Sequence, residues 1–237
     1  MAKKVYIGVG HGGSDPGAVG NGLKEKDLTL AISLACQDEL ARHGVLTKIS
    51  RTKDETDSVS AKVSECNQFA PDLALDIHIN AGGGDGAEVF HSVNGGKGAT
   101  LATNIRGEIK KIDQNSRGTK TKKNSNGKDY FGFIRSTNCP AVIVECAFID
   151  TKKDIQIIDT KNEQIAMGVA IARGVLTTLG IAYKEQEPAV PVEPEAPVED
   201  KEDGKLYRVQ VGAYSKKANA EAMQKKLKAA GFDAFIV

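Results

Sequence analysis

The segment Leu73–Ile79 constrains the fold more than any other part of this chain. Its residues are nearly all apolar, whereas a strand with one solvated face alternates apolar and polar side chains. A near-continuous apolar run of this length is typical of a strand inside a sheet that is covered on both faces. Because such sheets are mostly parallel and carry helices on both sides, the run predicts an α/β fold.

Strand and helix patterns alternate around that segment. Short apolar runs predict strands at Lys4–Gly8, Val45–Ile49, Ala87–Phe90 and Ala141–Glu145, with a further apolar segment at Tyr130–Ile134. Helical periodicity predicts helices at Asp27–His43, Ser58–Phe69, Ala99–Ile112 and Asn162–Leu179. We therefore expect a twisted, mostly parallel sheet with helices on both faces. In sheets of this kind, sites form beyond the carboxyl ends of the strands.

The net charge changes sign along the chain and divides it into three segments. Residues 184–203 carry a net charge of −6 and hold four of the seven prolines at a spacing of three, whereas residues 205–237 carry +5. The proline-rich acidic composition is typical of an extended, self-repelling linker, although a fixed coil packed on the main domain is the alternative. We expect a main domain at 1–182, a linker at 183–204 and a small module at 205–237.

The small module has the pattern of a partial βαβ unit, half of a ferredoxin-like fold. Leu206–Tyr214 alternates polar and apolar residues and predicts a strand, Lys216–Ala230 has helical spacing, and Phe232–Val237 begins a second strand. Its 33 residues fall below the roughly 40 that usually fold unaided.

Composition restricts where the protein works. No run of about 18 apolar residues occurs, so we expect no membrane insertion. The N-terminus lacks the apolar stretch of a secretory signal, which predicts synthesis in the cytoplasm without a signal peptide. The cysteines show no C-x-x-C spacing and are interpreted as buried reduced thiols: Cys36, Cys66, Cys139 and Cys146.

Polar side chains stand where three predicted strands end. The first strand runs into a glycine-rich loop around His11, the third carries His78 and Asn80 on one face because strand side chains alternate, and Glu145 ends a late apolar run. Two histidines and a carboxylate at neighbouring strand ends favour a catalytic metal site. Each signal alone also fits a structural histidine or an ordinary glycine turn, and the loop lacks the lysine of a P-loop.

Four motifs occur in order over about residues 3–181. They are Gly10-His11-Gly12-Gly13 with Asp15-Pro16-Gly17 and Glu25-Lys26-Asp27, Ser50-Arg51-Thr52 with Asp54, Asp76-Ile77-His78-Ile79-Asn80-Ala81, and Val144-Glu145 with Phe148-Ile149. Together they resemble the zinc N-acetylmuramoyl-L-alanine amidases found in autolysins, spore-release enzymes and phage endolysins. The resemblance implies hydrolysis of the amide between N-acetylmuramic acid and the L-alanine of the peptidoglycan stem peptide, causing cell-wall lysis.

The resemblance also implies roles for individual residues. His11, Glu25 and His78 would hold one Zn²⁺, a donor set that leaves an open coordination position and suits hydrolytic zinc. Glu145 would be the general base, and Asn80 would position the substrate. The plainer interpretation of Glu25 is a solvated acid that favours the start of a helix.

The tail and a basic segment indicate partners. The strand-Gly-Ala-Tyr-Ser pattern followed by a helix resembles the first half of a sporulation-related (SPOR) repeat, a module associated with binding peptidoglycan glycan strands. Residues 106–128 hold eight bases against two acids, which indicates either a solvated loop or a groove lip attracting anionic wall polymers. No aromatic residues interleave with these bases as nucleic-acid binding would require, so we expect no nucleic-acid partner.

Two alternatives stay open at this point. One is a zinc peptidase that cuts within the stem peptide, because its site chemistry is similar. The other is a catalytically inert peptidoglycan-binding protein, against which the complete set His11, Glu25, His78 and Glu145 argues. We expect a monomer that acts on the cell wall after release by host lysis or mother-cell lysis. The absence of a signal peptide fits a phage and a sporulating cell equally.

Overall fold

The computed structural model describes residues 2–185, 217–229 and 231–236. The chain divides into two compact units, Met1–Glu185 and Gln186–Val237. The strands are β1 (Lys4–Val9), β2 (Val19–Gly20), β3 (Leu23–Lys24), β4 (Leu46–Ile49), β5 (Leu73–Asn80), β6 (Ala87–His91), β7 (Ser116–Lys120) and β8 (Ala141–Phe148). The helices are α1 (Glu25–Arg42), α2 (Val59–Phe69), α3 (Lys97–Lys110), α4 (Gly132–Ser136), α5 (Lys152–Ile155), α6 (Lys161–Leu179) and α7 (Lys217–Ala229).

Six strands form one sheet in the order β4-β1-β5-β8-β6-β7. Neighbouring strands are parallel throughout except at the β8–β6 pair, which is antiparallel. The sheet is therefore mostly parallel, as predicted. The late strand β8 lies between β5 and β6, so strands far apart in sequence become neighbours at the centre of the sheet.

Helices cover both faces of the sheet, also as predicted. Alternation along β5 directs Leu73, Leu75 and Ile77 into the main core, where α1, α3 and α6 pack. Ala74 points to the other face and joins a smaller cluster that includes Phe133 of α4. Further along β5, this second face carries Asp76 and His78. The fold thereby sends the polar residues of β5 away from the main core.

The main core is closely packed where helices cross. The α6 residue Gly168 lies so near α1 that an added Cβ would stand 2.5 Å from the carbonyl oxygen of Ile32. Helix α6 begins with a capping box, in which the Thr160 side chain accepts from the Glu163 N–H and the Glu163 side chain accepts from the Thr160 N–H. It ends at Gly180, which is left-handed with φ of 71°.

Two elements of the first unit differ from the sequence patterns. The polar segment 106–128 contains the edge strand β7, whose polar character suits a strand with one unpaired side. The apolar segment Tyr130–Ile134 leads into the short helix α4. Its Phe133 is buried because it packs beneath the sheet in the smaller cluster.

In the second unit, α7 occupies the predicted helical segment, and Gly231 follows it with φ of 86°. The prediction of a strand at Phe232–Val237 is wrong for residues 232–236, which form no strand. Phe232 and Phe235 are 60% and 81% exposed, and among the described residues no strand pairs with this segment. The predicted strand Leu206–Tyr214 lies outside the described residues.

Two further properties concern the whole described chain. None of its helices combines the length and apolar character needed to cross a membrane. All four cysteines are free thiols, of which Cys36, Cys66 and Cys146 are buried.

Candidate metal centre

The loop after β1 brings His11 to the carboxyl edge of the sheet. His11 has a left-handed backbone with φ of 58°, an uncommon conformation for a residue with a side chain. Its neighbour Gly10 donates to the carbonyl oxygen of Ile77 at 2.9 Å, and a Cβ on Gly10 would lie 2.7 Å from Nδ1 of His78. Only glycine therefore allows the loop to pass this close to β5.

Arg51 fastens this loop to the start of α1. Its guanidinium group is buried and donates to the carbonyl oxygens of His11 at 2.8 Å, Lys26 at 2.8 Å and Gly10 at 3.1 Å. The strained turn at His11 is thus held by charge-assisted hydrogen bonds to its own backbone. This explains the Ser50-Arg51-Thr52 motif, to which the sequence alone attached no role.

Glu25, the first residue of α1, stands between the two histidines. Its Oε2 lies 3.2 Å from Nε2 of His11, and its Oε1 lies 3.0 Å from Nδ1 of His78. The Ala18 and Ile79 backbone N–H groups also donate to this carboxylate. Burial raises its pKa, but the contacts with His11 and His78 outweigh burial and lower the pKa to about 2.

One potential ligand atom from each of His11, Glu25 and His78 lies within 4.8 Å of the others. Two imidazole nitrogens and one carboxylate oxygen match the donor set of hydrolytic zinc sites. Burial lowers the pKa of His78, yet Asp76 and Glu25 outweigh burial and raise it to about 10. The pocket between these side chains therefore favours positive charge, and its residues fit a divalent cation.

Two aspartates fix the orientation of the histidine rings. Asp15 Oδ2 lies 2.7 Å from Nδ1 of His11, and Asp76 Oδ2 lies 3.4 Å from Nε2 of His78. With these carboxylates as partners on one side of each ring, the opposite ring nitrogens face Glu25, and a bound metal would take the place of the proton there. Asp76 is itself held by the buried ammonium group of Lys62 at 2.8 Å.

Glu145 lies on β8 beside this cluster, as the register partner of His78 on β5. Its Oε2 is buried and has no hydrogen-bond partner among the described residues. Burial raises the pKa of Glu145 to about 7, and the nearby carboxylates of Glu25 and Glu88 add to the effect. A carboxyl group with this pKa is able to accept and return a proton near neutral pH.

Asn80 ends β5 and contacts protein groups at both ends of its amide. Its Nδ2 donates to Oε2 of Glu88 at 3.3 Å, and its Oδ1 accepts from the Ala81 backbone N–H. The structure thus places Asn80 at the edge of the site, next to a buried carboxylate. Its role in substrate positioning stays a prediction.

The other two histidines lie outside the cluster. His43 is packed against the Tyr183 ring with centroids 4.9 Å apart, and its Nδ1 contacts the Glu39 carbonyl oxygen. His91 ends β6, with Nδ1 2.9 Å from the Ser92 carbonyl oxygen. Cys146 points into the main core, on the opposite face of β8 from Glu145.

Three residues around the site were not assigned from the sequence. Arg51, Lys62 and Glu88 are charged yet buried. Nothing in the sequence of α2 indicates that Lys62 is buried. Glu88 alternates with Ala87 and Val89, which places it on the strand face away from the main core, but only the sheet order reveals that this is the face of Glu145.

Comparison with known proteins assigns the chain to a family. Residues 5–177 match the family described as N-acetylmuramoyl-L-alanine amidase. Residues 181–237 match the SPOR domain, and this match begins well before the predicted small module. The family match covers β1 to α6 and includes all four residues of the proposed metal and base set.

Individual relatives carry the names of such enzymes or of an endolysin. The chain is 35% identical to the sporulation-specific N-acetylmuramoyl-L-alanine amidase of Bacillus subtilis over 99% of this chain and 84% of that protein. It is 30% identical to the endolysin of Bacillus phage SPP1 over 96% of this chain and 86% of that protein. The solved structure of N-acetylmuramoyl-L-alanine amidase AmiC2 of Nostoc punctiforme superimposes with a TM-score of 0.68 at 29% identity, covering 75% of this chain and 97% of that one. The chain belongs to the N-acetylmuramoyl-L-alanine amidase family.

Proposed function

We propose that this protein hydrolyses the amide bond between the lactyl group of N-acetylmuramic acid and the L-alanine of the stem peptide in bacterial peptidoglycan. The observation that carries the proposal is the convergence of His11, Glu25 and His78 beside the buried carboxyl group of Glu145. The family match and the name of the Bacillus subtilis relative support the same bond as the target.

One Zn²⁺ is the cofactor we propose for the first unit, held by His11, Glu25 and His78. When bound, it would polarise the scissile carbonyl and lower the pKa of an attacking water to about 7. Asp15 and Asp76 keep both imidazoles in the orientation that turns one ring nitrogen of each towards Glu25 and the centre of the site.

Glu145 is the group that moves the proton in this proposal. Its unpartnered Oε2 accepts a proton from the attacking water and returns it to the leaving amine of L-alanine. Since that amine must be protonated to depart, a carboxyl group with a pKa near neutrality suits both steps.

We also propose separate roles for three segments of the chain. Residues 1–182 form the catalytic domain, 183–204 act as the acidic linker, and 205–237 contribute to wall binding. The SPOR match over 181–237 supports a peptidoglycan partner for the C-terminal part. The substrate requires that the protein acts on the cell wall, and names such as endolysin and sporulation-specific amidase support action after release.

A metal-dependence experiment tests this function. Protein stripped with a chelator, then reloaded with zinc, is incubated with purified peptidoglycan while new amino groups and turbidity are followed. We expect no cleavage by the stripped protein, full recovery at one zinc per chain, and no recovery for His78→Ala. Equal cleavage with and without chelator would contradict the proposal.

A further inference from the structure

Glu88 forms a second buried carboxylate near the candidate active site. It lies on β6 as the register partner of Glu145. Oε1 of Glu88 accepts from Nε of Arg117 and from Nζ of Lys120, each at 2.6 Å. Burial raises its pKa, but the contacts with Lys120 and Arg117 outweigh burial and lower it. Glu88 is therefore an ionised anchor for two cations of β7.

The charges in this cluster do not balance. One carboxylate faces one guanidinium and one ammonium group, which leaves a net charge of +1. The side chains of Arg117 and Lys120 are 42% and 35% exposed, whereas that of Glu88 is 7% exposed. The uncompensated positive charge therefore faces solvent, on the side of the sheet that carries Glu145.

Arg117 is held in a fixed position with its outer edge open. Its Nε is engaged by Glu88, and its guanidinium carbon lies 5.3 Å from the centre of the Phe148 ring. That ring packs so tightly on Gly84 that a side chain there would collide with it. Within residues 2–185, neither terminal nitrogen of Arg117 makes a hydrogen bond. A guanidinium group that is fixed through its Nε leaves its two terminal nitrogens to donate. Such a group prefers a carboxylate, which it binds through two parallel hydrogen bonds.

The position of the cluster fits the stem peptide. Strand β6 is two strands from β5, so Glu88 stands about 10 Å from His78 at roughly 4.8 Å per strand spacing. An extended peptide advances about 3.4 Å per residue and covers that distance in about three residues. In the proposed substrate, free carboxylates lie on the stem peptide, since the sugar's lactyl carboxyl group is part of the scissile amide.

We propose that Arg117, anchored by Glu88 and Phe148 and assisted by Lys120, binds a free carboxylate of the stem peptide and selects for its charge. This inference rests on the proposed function and specifies its substrate. Arg117 is a specificity residue in this account, because it binds a part of the substrate remote from the reacting amide.

Matched substrates test the inference. The zinc-loaded full chain is assayed on a soluble muramoyl peptide with free stem carboxylates and on the same compound with those carboxylates amidated. We expect the wild type to prefer the free carboxylate by about tenfold or more in kcat/KM, mainly through KM, as for a charge-assisted hydrogen bond. In Arg117→Gln this ratio falls towards one, and Arg117→Lys, which keeps the charge but loses the fork, is intermediate.

Lys123→Gln is the matched control, because it removes one positive charge from the same basic segment at an exposed position. It should keep the wild-type ratio. Equal cleavage of both substrates by the wild type, or an equal loss in Arg117→Gln and Lys123→Gln, would overturn the inference. Cleavage of neither substrate by the wild type would instead contradict the proposed function.

A second arm separates stem carboxylates from the phosphates of anionic wall polymers. Cell walls are compared before and after acid extraction of those polymers. We expect the defect of Arg117→Gln to persist on the extracted walls. A defect that disappears with the polymers would assign the cluster to phosphate and overturn the stem-peptide inference.

Discussion

His78 and Glu145 are register partners on the adjacent parallel strands β5 and β8, so their side chains leave the same face of the sheet side by side. One strand thereby supplies a metal ligand and the next supplies the proposed base. Both strands are buried at the centre of the sheet, which fixes the spacing between the two groups without a contribution from flexible loops.

The buried carboxyl group of Glu145 should make stability depend on pH. Its pKa rises from 4.5 to about 7 on folding, which corresponds to about 3 kcal/mol. Because the raised pKa means that the folded state binds the proton more tightly, this contribution is fully present below about pH 4.5. It is lost as the pH rises through about 7.

We therefore expect Glu145→Gln to stabilise the metal-free protein at pH 8 and to have little effect at pH 4.5. Urea denaturation at both pH values measures this difference. A constant stability difference across this range would refute a raised pKa for Glu145.

The Lys62–Asp76 ion pair should be strongly coupled, because both side chains are 2% exposed. Asp76→Asn leaves a buried ammonium group without its counter-charge and should cost about 3–5 kcal/mol of unfolding free energy. The double variant Lys62→Met/Asp76→Asn should recover part of that loss, since the unpaired charge is gone.

A double-mutant cycle by urea denaturation measures this coupling. The pair Lys53 and Glu55, whose side chains are 75% and 45% exposed, serves for comparison and should show a coupling below about 1 kcal/mol. If the losses of unfolding free energy in Lys62→Met and Asp76→Asn add up to the loss in the double variant, the two side chains are not energetically coupled, which would contradict the prediction.

Arg51 should control the metal site through the His11 loop. Lysine keeps the charge but is unable to reach the carbonyl oxygens of His11, Gly10 and Lys26 together. We expect Arg51→Lys to lower the unfolding free energy by about 2–4 kcal/mol and to weaken zinc binding. Competition with a chromophoric chelator measures the zinc affinity.

Arg135 offers a matched control for Arg51. It also donates to two backbone carbonyl oxygens, at 2.7 and 2.8 Å, but it is exposed and does not contact the His11 loop. Arg135→Lys should leave zinc affinity unchanged. Similar zinc affinities for Arg51→Lys and Arg135→Lys would show that the hydrogen bonds from Arg51 to backbone carbonyl oxygens do not affect the metal site.

Sequence patterns predicted the sheet class, most of its helices and strands, and a polar cluster at strand ends that includes His11, His78 and Glu145. Glu25 was implied only by the resemblance to the amidase family. Apolar runs and glycine-rich strand ends are local patterns, so they can be recognised in the sequence without knowledge of the fold. The sequence order did not reveal that β8 inserts between β5 and β6. The pairing of Glu145 with His78 on one side and Glu88 on the other depends on that insertion.

The remaining differences also have physical causes. Lys62 resembles any solvated helix residue until Asp76 is placed opposite it. The strand β7 is an edge strand made of polar residues and one glycine, so it lacks the alternation of apolar and polar side chains from which a strand is predicted. The segment after Gly231 has the composition of a strand, but a strand forms only with a partner, and the described residues supply none.

The identity of the new chain ends in digested peptidoglycan tests the central claim most directly. Purified wall is treated with zinc-loaded wild type, chelated wild type and zinc-loaded Glu145→Ala, and the new amino groups are identified. We predict new amino groups on the stem's L-alanine with the first protein alone. New ends inside the stem peptide, or the same ends from Glu145→Ala at the wild-type rate, would contradict the account.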